Sequence, residues 1–381
     1  MRSLTALWRA VVDGRAGPLA RGTLSPLLTA LTWPYDWMHR LRIQVYLRGW
    51  ASVKRLPCRV ISVGNLTLGG TGKTPMVEAI ATLLRQHGHR VGVLSRGYGG
   101  RGRKAMTVVS DGARCLVPPE VAGDEPILLA EHLAGVPVVV GRDRYAAGML
   151  AVDRFGVDVL VLDDGFQHLQ LARDLDILLL DAARPFGTGR LFPRGDLRER
   201  PSALARADAI VFTRWEEGMP VPPSALPRAH PLPPSFRSCH EPCGLRALPD
   251  GRILPLSALK ARSVLAFCGL GTPESFRRTL DRLGAIVVAF VAFPDHHPYT
   301  RANLEEIVRA AETHAAEVLI TTEKDGIRLR RLQPLPWPVW EVQILSKVID
   351  QNPAWEAHVL GVLAAPAAPT RERGRGPRQA R

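Results

Sequence analysis

Between residues 59 and 213, short apolar runs alternate with amphipathic stretches. Arg59-Val-Ile-Ser-Val-Gly64, Arg90-Val-Gly-Val-Leu-Ser95, Pro137-Val-Val-Val140, Val157-Asp-Val-Leu-Val-Leu162, Leu175-Asp-Ile-Leu-Leu-Leu180 and Ala209-Ile-Val-Phe-Thr213 read as strands. Most are apolar at consecutive positions rather than alternating ones, which predicts burial on both faces, as in a parallel sheet covered by helices. Residues from about Thr74 to His87 have helical spacing, and helical patterns separate most of the other strands. Seven prolines between Pro220 and Pro234 interrupt the alternation and predict a boundary or extended connector. A second set then begins. Strands are expected at Ser263–Phe267, Ala285–Phe290 and Val318–Thr322, and helices at Pro273–Leu283 and Thr300–His314.

The first 56 residues break this pattern. An apolar stretch, Leu24 to Trp33, is cut by proline, and Trp33, Tyr35, Trp37, Tyr46 and Trp50 then mingle with Arg40, Arg42 and Arg48. Such rings and guanidinium groups suit a layer that is dry on one side and wet on the other, so an interfacial helical segment is expected. The competing reading is a helix pair packed on the core. No run of 18 apolar residues occurs, so no transmembrane helix is expected, and Arg9, Asp13 and Arg15 break up any signal-peptide core.

Charge sharpens this division. The 381 residues carry +14, of which +8 lies in residues 1–59 and +4 in residues 371–381. The body is nearly neutral and the positive charge sits on two arms, which favours an anionic membrane surface over nucleic acid. With 46% hydrophobic and 23% charged residues, the composition is globular. Five cysteines in a long chain predict reduced thiols, and Cys239-His240-x-x-Cys243 lacks the second pair that a zinc site needs. The tail from about residue 360 is rich in Ala, Pro, Gly and Arg and reads as disordered.

The strongest chemical signal is Gly64-Asn-Leu-Thr-Leu-Gly-Gly-Thr-Gly-Lys-Thr74, set between a predicted strand and a predicted helix. Gly69, Gly70, Thr71 and Gly72 would bring backbone N–H groups to phosphate oxygens, Lys73 would reach the β- and γ-phosphates of ATP, and Thr74 would bind Mg²⁺. Thr67 stands where the P-loop pattern has glycine, so the loop is a variant. A second apolar strand delivers Asp163 and Asp164 at its carboxyl end, the usual place for the partner carboxylates of Mg²⁺. Asp124 and Glu125 open a helix, where acids also serve without chemistry. His296 and His297 follow Asp295 after a strand and offer an acid–base, metal or structural group. Arg96, Tyr98, Arg142 and Arg144 fall in loops expected near the same face and are candidates for gripping a substrate phosphate. Thr321-Thr-Glu-Lys-Asp325 also follows a strand, but no Asn or Thr in the chain precedes Lys, so the guanine signature is missing.

In order, Ser62 to Pro75, Ser95-Arg-Gly-Tyr-Gly99, Gly123-Asp-Glu-Pro126, Asp163-Asp-Gly-Phe-Gln-His168, Leu197-Arg-Glu199, Phe293-Pro-Asp-His-His297 and Thr321–Asp325 resemble the tetraacyldisaccharide 4'-kinases, the lipid A 4'-kinase family. The resemblance covers about residues 20–345. Arg194-Gly-Asp-Leu-Arg-Glu-Arg200 departs from the family pattern, with Asp196 and Arg200 in place of prolines. It implies an α/β fold of two α/β/α sandwich domains, the first a P-loop NTPase-like parallel sheet, with an N-terminal membrane-associated helical segment. The expected divisions are 1–56 for that segment, 57–225 for the catalytic domain, 226–350 for the second domain and 360–381 for the tail.

The implied activity is transfer of the ATP γ-phosphate to the 4'-hydroxyl of an acylated glucosamine disaccharide 1-phosphate. Asp124 would take the hydroxyl proton, with His296 orienting it and relaying the proton, and Asp164 is the alternative base. Asp124 and His296 would then have to come within hydrogen-bond reach across the cleft. The implied location is peripheral, on the cytoplasmic face of the inner membrane, with no obligate protein partner. The competing class is a P-loop switch or metallochaperone-type NTPase, which would hydrolyse nucleotide to drive a partner.

Overall fold

The computed structural model describes residues 2–12, 14–97, 106–219, 233–350 and 352–364. Tyr98, most of the Pro-rich connector and the tail beyond residue 364 lie outside them. Two helices lead, α1 (Arg2–Val12) and α2 (Pro18–Leu47). The first α/β set comprises β1 (Arg59–Asn65), α3 (Lys73–Gln86), β2 (Val91–Ser95), β3 (Met106–Asp111), α4 (Pro119–Ala122), α5 (Asp124–His132), β4 (Pro137–Gly141), α6 (Arg144–Phe155), β5 (Val159–Asp163), β6 (Leu175–Asp181) and β7 (Ala209–Thr213). The second comprises β8 (Ser235–Leu248), β9 (Ile253–Leu254), β10 (Ser263–Cys268), α7 (Pro273–Arg282), β11 (Ile286–Ala292), α8 (Arg301–Thr313), β12 (Val318–Thr322), α9 (Glu323–Leu329), β13 (Val339–Val348) and α10 (Asn352–Ala364).

The strands form one hydrogen-bonded path of order β11-β10-β12-β13-β8-β7-β6-β1-β5-β2-β4-β3, with β9 on β8. Most pairs are parallel, as the continuous apolar runs require. The exceptions are β3 on β4, β8 on β13 and β9 on β8. β8 is the joint. Its first residues run parallel to β7, while most of its length runs antiparallel to β13. Two parallel groups therefore share a two-stranded seam. Each has helices on its faces and a buried core, including Ile61, Met76, Ile80 and Val161 in the first and Phe276, Leu280, Val264 and Ile320 in the second.

The register sets the position of the chemistry. Val63 of β1 pairs with Asp163 of β5, so the turn after β1 and the acids ending β5 emerge side by side at the carboxyl edge.

Proline does not divide the N-terminal arm. α2 runs unbroken through Pro26 and Pro34, where the apolar pattern had suggested separate pieces. One face of α2 is docked on the body. Tyr35 donates to the Arg198 carbonyl at 2.9 Å, and Asp36 accepts from Arg200 at 2.8 and 2.7 Å. The opposite face is open, with Leu19, Leu27, Trp33, Trp37 and Leu41 all exposed, Trp33 by 77%.

Candidate active site

The turn between β1 and α3 forms the cradle. Gly72 precedes α3 with φ of 79°, and a Cβ there would lie 2.6 Å from Nε2 of His240, so backbone and space both select glycine. The first amides of α3 and the positive end of its dipole face this turn. Lys73 Nζ lies 3.3 Å from Asn65 Oδ1 and 3.7 Å from Asp164 Oδ1. Asn65 in turn donates to the Thr67 carbonyl at 2.9 Å, which steadies the variant position. The lysine is thus oriented before any phosphate arrives.

The loop is also braced from behind. Thr213 Oγ1 donates to the Thr71 carbonyl at 2.9 Å, and Arg214 donates to the Gly70 carbonyl and to Asp181, the latter at 2.6 Å. His240, from β8, packs against Gly72. Burial, helped by the Arg214 charge, pushes its pKa down to about 4, so the ring is neutral near pH 7. The sequence raised His240 only as part of an incomplete zinc pattern and did not point to Thr213 or Arg214. Thr213 and Arg214 stand at the end of β7 and His240 within β8, and only the sheet order brings them to the loop.

The adjacent acids diverge. Asp163 is buried, and its Oδ2 accepts from Ser95 Oγ at 3.0 Å. Its Oδ1 is buried with no protein hydrogen-bond partner. Burial first, then the charge of Glu125, lifts its pKa to about 6 against the pull of Lys73. A hard, unpartnered carboxylate oxygen beside the cradle fits Mg²⁺, and Thr74, buried in the first turn of α3, fits as a second protein ligand. Among the described residues no cluster of three His, Cys, Asp or Glu could hold a metal. Asp164 is committed otherwise. It adopts φ of 57° and takes both its oxygens to Arg198 Nη1 at 2.8 Å. Burial opposes its ionisation, but Lys73 and Arg198 hold the carboxyl below its ordinary value.

Asp124 and Glu125 occupy the first turn of α5, and both also reach across to α9. Lys324 Nζ donates to Glu125 at 2.6 Å, and Arg328 Nε donates to Asp124 Oδ2 at 2.6 Å. Lys324 holds Glu125 at about 2 against its burial. Burial raises Asp124, but His296 and Arg328 together bring it below the ordinary carboxylate range. Glu125 also feels Lys73, so the start of α5 lies within electrostatic reach of the cradle.

His296, at φ of 57° in the loop after β11, brings Nδ1 to 3.9 Å from Asp124 Oδ2. That is too long for a hydrogen bond. Direct contact between Asp124 and His296 was the expectation, and Arg328 explains the difference. Its guanidinium touches Asp124 and lies 3.1 Å from His296 Nδ1. Of the substrate candidates, Arg96 and Arg142 are exposed just beyond β2 and β4. Arg144 is buried, turns back to the Gly141 carbonyl, and has its pKa lowered to about 10 by burial.

With this geometry in place, likeness to known proteins becomes specific. The family model described as tetraacyldisaccharide-1-P 4'-kinase matches residues 24–364. The chain belongs to the tetraacyldisaccharide-1-P 4'-kinase family. A 4'-kinase of Syntrophus aciditrophicus is 47% identical, covering 82% of this chain and 86% of that protein. One of Geobacter sulfurreducens is 42% identical over 92% of this chain and 97% of its own length. A crystal structure of LpxK from Aquifex aeolicus in complex with ATP superimposes with a TM-score of 0.74 at 36% identity, covering 89% of this chain and 99% of its own. Family membership makes the chain an ATP-dependent kinase and disfavours the switch or metallochaperone reading.

Proposed function

We propose that the chain transfers the γ-phosphoryl group of ATP to the 4'-hydroxyl of a tetraacylated glucosamine disaccharide 1-phosphate, with Asp124 as the general base. The observation that carries this reading is an ionised carboxylate, Asp124, next in the chain to Glu125, which feels Lys73 of the phosphate cradle, and close to a histidine from the second α/β set. An alcohol is a poor nucleophile near neutral pH and needs its proton taken as the new P–O bond forms. Asp124 takes that proton, the bond from the γ-phosphorus to the bridging oxygen breaks, and ADP leaves. Lys73 balances charge on the transferring group, and the cradle amides orient the triphosphate. Bound Mg²⁺, on Asp163 and Thr74, would supply charge neutralisation at the phosphates. Asp164 keeps Lys73 and Arg198 in place. Arg96 and Arg142, both open to solvent, are the candidates for the substrate 1-phosphate, with Arg144 building the loop that carries Arg142.

The lipid half of this reading draws on the N-terminal arm. Between α2 and residues 189–202 lies a groove of about 860 Å³, lined by Trp33, Leu191 and Leu197 together with Arg190, Arg194 and Arg200. Apolar walls with a basic rim suit a phosphorylated lipid. The exposed Leu and Trp face of α2 suits an anionic bilayer, which would place the enzyme as a peripheral protein on the inner membrane. No described helix is long and apolar enough to cross a membrane.

The decisive assay uses MgATP and tetraacyldisaccharide 1-phosphate in detergent micelles. A product carrying one more phosphate, absent without acceptor, supports the reading. ATP hydrolysis with no phosphorylated lipid would overturn it. Co-sedimentation with anionic vesicles tests the arm: Trp33→Ser with Trp37→Ser should lower the bound fraction, and unchanged binding would remove α2 as the contact.

A further inference from the structure

The Thr321–Asp325 motif is left without a task by the proposed chemistry, and the structure gives it one. Thr322 caps α9 by accepting from the Asp325 amide, and its hydroxyl donates to Asp325 Oδ2 at 2.6 Å. The Gly269 amide donates to the same oxygen at 3.0 Å, so Asp325 is locked between β12 and the end of β10. Asp325 Oδ1 then accepts from Arg328 Nη1 at 3.0 Å, one turn along α9. Both side chains are essentially buried, at 0% and 3% exposure. With one edge anchored in its own α/β set, the guanidinium turns Nε to Asp124 at 2.6 Å and Nη2 to His296 Nδ1 at 3.1 Å.

We infer that Arg328 is the positioning residue of the acid–base pair: it fixes the Asp124 carboxylate across the cleft and sets which nitrogen of His296 carries the proton. The argument is one of donors and acceptors. Arginine has five N–H donors, no acceptor, and does not deprotonate in proteins. A ring nitrogen 3.1 Å from it must therefore accept, so Nδ1 of His296 carries the lone pair and the proton resides on Nε2. Nε2 faces Asp295, 3.9 Å away. With Nδ1 accepting from Arg328 and Nε2 protonated, the ring has no free lone pair, and the Asp124 carboxylate is the base that takes the substrate proton. A lysine could not do the same work. Its ammonium is a single point and cannot meet Asp325, Asp124 and His296 together in one plane.

This inference rests on the reading of Asp124 as base, and the experiment separates the two. Full-length wild type, Arg328→Gln, Arg328→Lys and Asp124→Asn are assayed with MgATP and the micellar disaccharide 1-phosphate. The ¹⁵N shifts of the His296 ring are recorded alongside. The expected wild-type ring is protonated at Nε2 alone. Arg328→Gln and Arg328→Lys should each lose about 10²-fold in kcat, the scale of an ångström-level misplacement of a reacting group. KM for ATP should move less than threefold, and the ring should become a mixture of tautomers. A wild-type ring protonated at Nδ1 overturns the inference without any variant, and so does wild-type turnover in Arg328→Gln. If Asp124→Asn is inactive while both Arg328 variants turn over normally, the base stands and Arg328 is only a tether. If Asp124→Asn itself turns over normally, the base reading fails instead.

Discussion

The phosphate cradle and the Asp124 cluster are assembled differently. The cradle takes its groups from consecutive residues between Gly64 and Thr74, and its main donors are backbone amides fixed by β1 and α3. The cluster takes Asp124 from α5, His296 from the loop after β11 and Arg328 from α9. Its contacts are ion pairs between residues as much as 204 positions apart. A local site exists as soon as its strand and helix form. A distributed one exists only while the two α/β sets stay docked. The cradle's groups are therefore fixed by local structure, whereas Asp124, His296 and Arg328 meet only where the two α/β sets touch.

That surface is a ladder of charges between α5 and α9, extended by neighbouring residues. Glu125 pairs with Lys324, Asp124 with Arg328, and Glu131 with Arg246 and Arg330. His132 bridges Glu78 of α3 at 3.1 Å and Glu323 of α9 at 2.7 Å. Burial alone would depress its pKa, yet its hydrogen bonds to Glu323 and Glu78 raise it to about 10.

The largest effect should come from the cradle. Lys73→Ala leaves the fold intact and removes the cation placed by Asn65, so kcat should fall about 10³-fold in the micelle assay. A loss below tenfold would mean the backbone amides suffice without it. Asp124→Asn should come next, at about 10²–10³-fold in kcat with ATP affinity nearly unchanged, measured by ATP titration and turnover on the same preparation. A large loss of ATP binding in that variant would erase the contrast, because the two regions would then be one unit.

His132→Leu tests docking without touching either reactive group. Two buried carboxylates would lose their shared cation, at a cost of about 3 kcal/mol near pH 7, or roughly 4 °C in melting temperature for a chain of this length. The sign follows from the raised pKa. The folded protein holds this proton more tightly than the unfolded chain, whose histidine titrates near 6.5. The stabilisation is therefore fully present below about pH 6.5 and is lost as pH rises through about 10. Melting curves of wild type and variant should lie far apart at pH 6 and converge above pH 10. A gap that does not change with pH would show that His132 packs as an apolar residue.

The same contrast decides what could be read from the sequence. The cradle was legible because glycines, a lysine and a threonine at fixed spacing sit between a strand pattern and a helix pattern. Asp163 was legible because an apolar strand ends on it. The general α/β architecture followed from consecutive apolar strands. The continuous α2 was not, because a pattern argument breaks a helix at Pro26 and Pro34, whereas docking through Tyr35 and Asp36 carries it through. Arg328 was not, since an arginine inside a short helix has no local signature and acquires its place only when α9 meets α5. Glu125 read as an ordinary helix-start acid. It is one, and its partner Lys324 lies 199 positions away. Family resemblance supplied Asp124 and His296 as a pair, but not the guanidinium that stands against both.

The smallest expected effect probes how self-sufficient the cradle is. Thr213 lies outside the loop and is fully buried, and its hydroxyl donates to the Thr71 carbonyl at 2.9 Å and contacts the Leu180 carbonyl at 3.4 Å. Thr213→Val keeps the shape and deletes one neutral hydrogen bond, worth about 1 kcal/mol once the stranded carbonyl is counted. If that brace only trims the loop, ATP affinity should fall about fivefold or less, with kcat at saturating ATP unchanged. Isothermal titration with ATP and initial rates on micellar acceptor separate the two quantities. A collapse of kcat at saturating ATP would mean that the end of β7 aligns the triphosphate for transfer. The cradle would then be a product of the sheet around it, as the Asp124 cluster is of the docked surface.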